Sequence, residues 1–154
     1  MDSMLSLLKS HPFSTDLHPD HLTKLSRLCR PTRVYADNYI FREKQPADRF
    51  YLVHSGSVML ESEQPGARVA PIQTLEAGKL LGCSWLFEPY LWRFDARALR
   101  PTELVVFEAD AVRNLLQEDH ELGYQVLVRL VRATSERLDA TRFQMLGLYE
   151  RGAQ

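Results

Sequence analysis

The chain has 154 residues, 45% hydrophobic and 25% charged, and its 19 Lys and Arg against 20 Asp and Glu leave a net charge of −1. This is the length and composition of one globular domain; it excludes a disordered or collagen-like chain and a basic wrap around nucleic acid, though not a local basic patch. No apolar run approaches the roughly 20 residues of a bilayer span, and Met1-Asp2-Ser3-Met4-Leu5 carries an acid where a signal peptide is basic. A cytoplasmic protein with no membrane contact is therefore expected.

Three zones follow along the chain. The first, to about Arg30, reads as helical. His18-Pro19-Asp20-His21 has the features of a helix start, because proline's fixed φ suits the first turn and an acid there faces the positive end of the helix dipole. Leu22, Leu25 and Leu28 give one apolar face, and Pro31 is expected to end the helix.

From Thr32 to Glu108 the period changes to short alternating or apolar runs. Strands are predicted at 33–35, 39–42, 49–54, 57–61, 69–75, 79–81, 94–98 and 103–107. They are separated by the turn residues Ala36-Asp37-Asn38, Pro46-Ala47-Asp48, Ser55-Gly56, Pro65-Gly66, Ala77-Gly78 and Arg100-Pro101. No helix-length segment interrupts them, which favours a small antiparallel barrel or jelly roll over a parallel α/β sheet.

The third zone is helical: a short helix over 110–116, then a proline-free segment from about Asp119 to Tyr149. Leu127, Val131, Thr134, Leu138, Thr141, Met145 and Leu148 recur at alternating spacings of four and three, the seam of a coiled coil. Such a helix reaches about 45 Å, longer than a small barrel can cover, so a partner helix is preferred to docking on the chain's own barrel. The simplest partner is a second copy, paired along Leu127, Val131, Leu138 and Met145. The chain divides into 1–117, helices and roll, and 118–154, a long helix of the same domain.

This order of elements resembles the cyclic nucleotide-binding domain of the Crp/Fnr type. Phe41-Arg42-Glu43-Lys44-Gln45-Pro46 through Ser55-Gly56-Ser57-Val58 is similar to that family's second-to-fourth strands. Leu75-Glu76-Ala77-Gly78-Lys79-Leu80-Leu81-Gly82 resembles the approach to its phosphate-binding cassette, and Ala98-Leu99-Arg100-Pro101-Thr102-Glu103-Leu104 the strand leaving it. Thr134-Ser135-Glu136-Arg137-Leu138 resembles the helix stretch facing the base in the catabolite-activator branch. The resemblance implies an α+β fold: an eight-stranded antiparallel jelly-roll barrel, a double-stranded β-helix, with N-terminal helices and a long C-terminal helix. Residues 82–96, with Ser84-Trp85-Leu86-Phe87 and Trp92-Arg93-Phe94-Asp95-Ala96, are similar to a bacterial subgroup of short, stand-alone members. The family's transcription factors carry a helix-turn-helix after the long helix; none follows before Gln154, so no direct DNA binding is expected and output would pass through an unidentified effector protein.

The resemblance also defines candidate ligand residues: Gly82, Cys83, Ser84, Trp85, Trp92, Arg93, Phe94, Asp95, Thr134 and Ser135. The family's cassette supplies Gly-Glu-hydrophobic and then Arg-Ser/Thr-Ala. Gly82 is in place to permit close backbone approach, but Cys83 stands where the ribose-binding carboxylate belongs. Glu88 is a distant substitute. Arg93 is the cassette's one arginine, followed by Phe94 and Asp95, and that carboxylate would repel a phosphate or occupy Arg93 itself. Losing a buried charge-assisted hydrogen bond costs about 1.5–3 kcal/mol, so weak or lost binding of cAMP or cGMP is expected, with another small anionic ligand possible.

Trp85, Phe87, Tyr90, Trp92 and Phe94 crowd the same loop. They either line an apolar ligand pocket or fill the emptied cavity. Two readings result: a ligand-sensing regulatory domain, with Arg93 pairing the anion and Thr134 and Ser135 at its other end, or a plugged scaffold for protein–protein interaction. Arg93 turned outward or locked to Asp95, with rings of Trp85, Trp92 or Phe94 filling the cavity, would decide for the second and against the first. Cys29 and Cys83 read as two reduced thiols, one disulfide being the alternative; Cys83 reads as a buried inert thiol, or as a redox-responsive one if exposed near Arg93. His18 and His21 read as solvated, with no metal site expected, and Arg129, Arg132, Arg137 and Arg142 as a charged flank that is solvated or paired with Glu136 and Asp139. No nucleophile–base arrangement indicates an enzyme.

Overall fold

The computed structural model describes residues 3–64, 66 and 68–152. Met1 and Asp2, Pro65 of the Pro65-Gly66 break, and Ala153 and Gln154 at the end of segment 118–154 lie outside the described residues. The elements are α1 (Ser3–Ser10), α2 (Pro19–Ser26), β1 (Cys29–Val34), β2 (Tyr39–Phe41), β3 (Arg49–Ser55), β4 (Ser57–Gln64), β5 (Arg68–Glu76), β6 (Leu80–Leu81), a 3-10 turn (Ser84–Leu86), β7 (Asp95–Ala98), β8 (Thr102–Glu108), α3 (Ala109–Glu118) and α4 (His120–Gly152).

The strands form two antiparallel sheets, β1-β8-β3-β6 and β2-β7-β4-β5, the two walls of a jelly roll. The register pairs Phe50 with Phe107 and Leu60 with Ala96. Gly56, at φ +98°, links β3 to β4 where a Cβ would lie 2.4 Å from Thr102 Oγ1, so only glycine makes this turn without moving its neighbour. Thr102 Oγ1 accepts from Ser57 N–H in the same corner.

The central strand β3 is covered on both faces. Phe50 and Leu52 meet Leu8, Leu25, Val112 and Val126 of the helices. Tyr51 faces Phe41 of the other sheet, ring centroids 6.3 Å apart. Burying each such side chain contributes about 1.5–3 kcal/mol, which explains why β3 reads as a continuous apolar run rather than an alternation.

Two expectations fail here. Pro31 does not end α2; that helix stops at Ser26 and the chain is already in β1, pairing Cys29 with Phe107 and Pro31 with Val105. Proline is tolerated there because β1 is an edge strand. His18 caps α2, its Nδ1 accepting from Asp20 N–H at 3.1 Å, with Pro19 in the first turn as expected. His21 is not solvated but buried, its Nδ1 without a hydrogen-bond partner.

Helix α4 docks on the roll by Leu122, Val126, Leu130, Ala133 and Arg137. Leu127, Val131, Thr134 and Leu138 each stand one residue further on than a member of that stripe, about 100° around the helix. They are therefore turned away from it: Leu127 is 43%, Val131 63%, Leu138 60% and Met145 65% exposed.

Candidate functional site

The cassette leaves β6, makes the 3-10 turn and returns as β7. Arg113 of α3 fastens it, donating to the Trp85 carbonyl, pairing with Asp110 and lying 4.5 Å over the Tyr90 ring. Trp85 is fully buried; it stacks on Phe50 at 4.3 Å and donates its indole N–H to the Gly82 carbonyl at 3.1 Å. Trp92 turns the other way, stacking face to face on Phe41 at 3.7 Å.

Trp92 also occupies the open face of Gly82. That glycine has φ +104°, and a Cβ on it would lie 2.5 Å from the indole ring. The missing side chain makes room for the protein's own tryptophan. Asp95 is buried, but its partners are Arg42 at 3.3 Å and Glu43 N–H at 2.7 Å, so it neither repels an anion nor locks Arg93. Glu88 is exposed and does not line the cleft described below.

What remains open is a cleft of about 260 Å³ between the outer cassette and α4. This is slightly below the roughly 300–1,000 Å³ of ordinary small-molecule pockets. Among the sequence candidates it gathers Cys83, Ser84, Arg93, Phe94 and Thr134, and leaves out Gly82, Trp85, Trp92, Asp95 and Ser135, the last exposed on α4. The criterion set on Arg93 thus divides: the side chain is exposed, yet it lines the cleft and is not tied to Asp95. Cys83 Sγ and Thr134 Oγ1 stand 3.5 Å apart, and Thr134 also donates to the Leu130 carbonyl at 2.8 Å. Cys83 and Cys29 are thiols, not a disulfide pair.

Arg137 does not lie on a solvated flank. It is half-buried, over the Phe94 ring at 5.6 Å, donating to the Leu80 carbonyl at 3.4 Å. Its Nε is buried with no hydrogen-bond partner, and burial makes the guanidinium hold its proton less tightly than usual. Of the expected charged flank, Arg132 is exposed and Arg142 pairs with Asp139 at 3.8 Å, both as expected, whereas Arg129 is buried and pairs with Asp16 at 2.7 Å. The signal for Arg137 was its spacing from Leu130 and Ala133, which puts it on the stripe facing the roll.

Residues 31–119 match the sequence profile of the cyclic nucleotide-binding domain. A CRP-like cAMP-activated global transcriptional regulator of Mycobacterium tuberculosis is 24% identical over 125 residues, covering 79% of this chain and 56% of the regulator. The chain thus spans little more than half the length of that curated relative. A cyclic nucleotide-binding domain from Methylobacillus flagellatus superposes with a TM-score of 0.79 at 22% identity, covering 94% of this chain and 81% of that one. The regulatory subunit of a cAMP-independent protein kinase A from Trypanosoma brucei superposes with a TM-score of 0.74 at 17% identity, covering 93% of this chain and 50% of that subunit. No helix among the described residues is long and apolar enough to cross a membrane.

Proposed function

This chain belongs to the cyclic nucleotide-binding domain family, and from that premise we propose that it is a regulatory, ligand-sensing module, not an enzyme, in which high-affinity cAMP or cGMP binding is weak or lost. The observation that carries the reading is Trp92 on Gly82, a 2.5 Å contact for any added Cβ. A nucleotide phosphate approaching that backbone would have to displace an indole stacked on Phe41. The ligand that fits what remains is a small anion in the outer cleft, held by Arg93 and Arg137 with Ser84 and Thr134 beside it. A protein kinase regulatory subunit described as cAMP-independent shares this fold, so the fold is compatible with loss of cAMP control. Calorimetry with cAMP and cGMP tests the reading: affinities weaker than micromolar are expected, and a sub-micromolar Kd for either overturns it.

The long helix supplies an apolar seam for a second copy, and a homodimer with an effector protein bound elsewhere is the arrangement we propose. A second reading is favoured by the buried stacks of Trp85 and Trp92: a plugged scaffold serving protein–protein interaction. Thermal denaturation against cyclic mononucleotides, cyclic dinucleotides and small organic phosphates separates the two. A cassette ligand at a hundredfold over its Kd stabilises by about 2.7 kcal/mol and loses that effect in Arg93→Ala, whereas in a plugged scaffold Arg93→Ala changes no shift.

A further inference from the structure

Arg137 is a wall shared by two clefts. The second lies on its other side, between α4, β5, the turn after β5 and the loop after α1, and has a volume of about 330 Å³. Its lining includes Phe13, Gln73, Lys79, Arg132, Glu136 and Arg137. The charge balance is one-sided. Arg129, also at its edge, is taken by Asp16 at 2.7 Å, and Glu136 reaches Lys79 at 3.8 Å, a loose exposed pair. Arg132 at the rim and Arg137 in the wall remain for an incoming negative charge.

Two orphaned polar atoms point the same way. Arg137 Nε and Gln73 Oε1 are both buried without hydrogen-bond partners, and both residues line this cleft. A buried donor and a buried acceptor left unmet in the walls of one cleft are costly in a folded protein, and a modest side-chain turn towards a bound ligand would satisfy them. Phe13 and Leu80 give the same cleft an apolar floor.

We infer that this cleft is a second binding site, for a small organic anion whose oxyanion head pairs with Arg132 and Arg137 and whose apolar body lies against Phe13 and Leu80. The site does not depend on the cassette reading, since Lys79, Arg132 and Gln73 line only this cleft, and Cys83, Ser84 and Arg93 only the other. Because Arg137 walls both, an anion here draws the guanidinium away from the cassette, and the two sites compete for it.

The test is an NMR titration of the isotope-labelled chain with 1-naphthyl phosphate, and with neutral 1-naphthol as control. Saturable shifts are expected at the Gln73 side-chain amide and the Gly78 backbone amide. Arg132→Ser, an exposed position where folding is not at risk, should weaken the phosphate about tenfold, the loss of one charge-assisted contact. Arg93→Ala should leave it unchanged. The inference is overturned if no shifts appear up to about 1 mM, or if they are confined to Ser84 and Phe87. It also fails if naphthol binds as tightly as the phosphate, or if Arg132→Ser has no effect. A cassette reading that fails by calorimetry with cAMP leaves these outcomes untouched.

Discussion

Cys83 and Thr134 stand 3.5 Å apart, sulfur to hydroxyl, joining the cassette to the long helix across the mouth of the outer cleft. Thr134 belongs to the seam by spacing, yet its hydroxyl is used by the Leu130 carbonyl and by Cys83 rather than by a facing helix. A ligand between cassette and helix would therefore act on both at once. Thr134→Val should weaken a small anion in this cleft by about 1 kcal/mol, one neutral hydrogen bond, and Arg93→Ala should abolish its binding. Paired titration calorimetry of the two variants checks the order.

Gly82 and Trp92 should be strongly non-additive. Gly82→Ala places a methyl 2.5 Å from the indole at φ +104°, at a cost of about 1–3 kcal/mol. Trp92→Ala empties a buried site and should cost about 3–5 kcal/mol. In the Trp92→Ala background the added methyl meets no ring, so Gly82→Ala should cost less there than in the parent. Urea unfolding of the four proteins in the cycle measures the coupling, and strict additivity would sink the packing argument.

Restoring the cassette's polar residues should not by itself restore the nucleotide. Cys83→Glu with Phe94→Ser supplies the absent carboxylate and hydroxyl but leaves Trp92 on Gly82. The double variant should raise cAMP affinity only slightly. Adding Trp92→Ala should raise it further, by at least about tenfold, because each recovered charge-assisted bond is worth about 1.5–3 kcal/mol. Equal cAMP affinity of the double and triple variants would remove Trp92 from the argument.

Arg137→Met should hold or raise thermal stability, by about 1 kcal/mol, because it replaces a guanidinium with a buried unpartnered Nε by an apolar chain of similar length. The same variant should lose anion binding in both clefts. Stability gained with function lost marks a residue retained for a ligand, whereas a stability loss above about 2 kcal/mol would mark Arg137 as structural.

The seam is tested by Leu138→Glu. Leu138 is 60% exposed in the single chain, so the substitution should leave the fold's stability within about 0.5 kcal/mol. In a homodimer it would bury a charge and yield monomers. Sedimentation at micromolar concentration decides, and a monomeric parent protein would end the dimer proposal.

His11 makes stability depend on pH. Its Nε2 bonds the Val53 carbonyl at 3.0 Å and its Nδ1 accepts from Phe13 N–H at 3.1 Å, so the neutral ring satisfies both. Burial, with His54 nearby, lowers its affinity for a proton below the ordinary 6.5. The unfolded chain therefore binds more protons than the folded one just below that value. Stability is present above pH 6.5 and falls as pH drops from there towards the lowered folded pKa. Glu108, held low by Arg30, loses its contribution only below about pH 4.5. Urea midpoints between pH 8 and 5 should show the histidine phase, and His11→Gln should flatten it.

The sequence by itself determined the roll. Turn residues such as Ser55-Gly56 and Ala77-Gly78 cut the chain at fixed points, and the short alternating or apolar runs between them are too short for helices, which leaves an antiparallel β architecture. It also determined that α4 carries an apolar seam, because a helix's faces follow from spacing alone. It could not decide which way the cassette's rings turn. Trp85 and Trp92 differ by seven residues on an irregular loop, where no period assigns a face, and one joins the helix-side core while the other covers Gly82. Nor could it separate Arg137 from Arg132 or Arg142. A charged residue on a helix looks solvated until the surface it faces is known, and that surface is made by β5, β6 and the cassette, 40 and more residues earlier in the chain. Asp95 shows the same limit: its neighbour in sequence is Arg93, but strand pairing places it against Arg42 and Glu43. Local patterning fixes elements because their periods are local; the partners of a buried charge are fixed by long-range pairing, which only the folded chain contains.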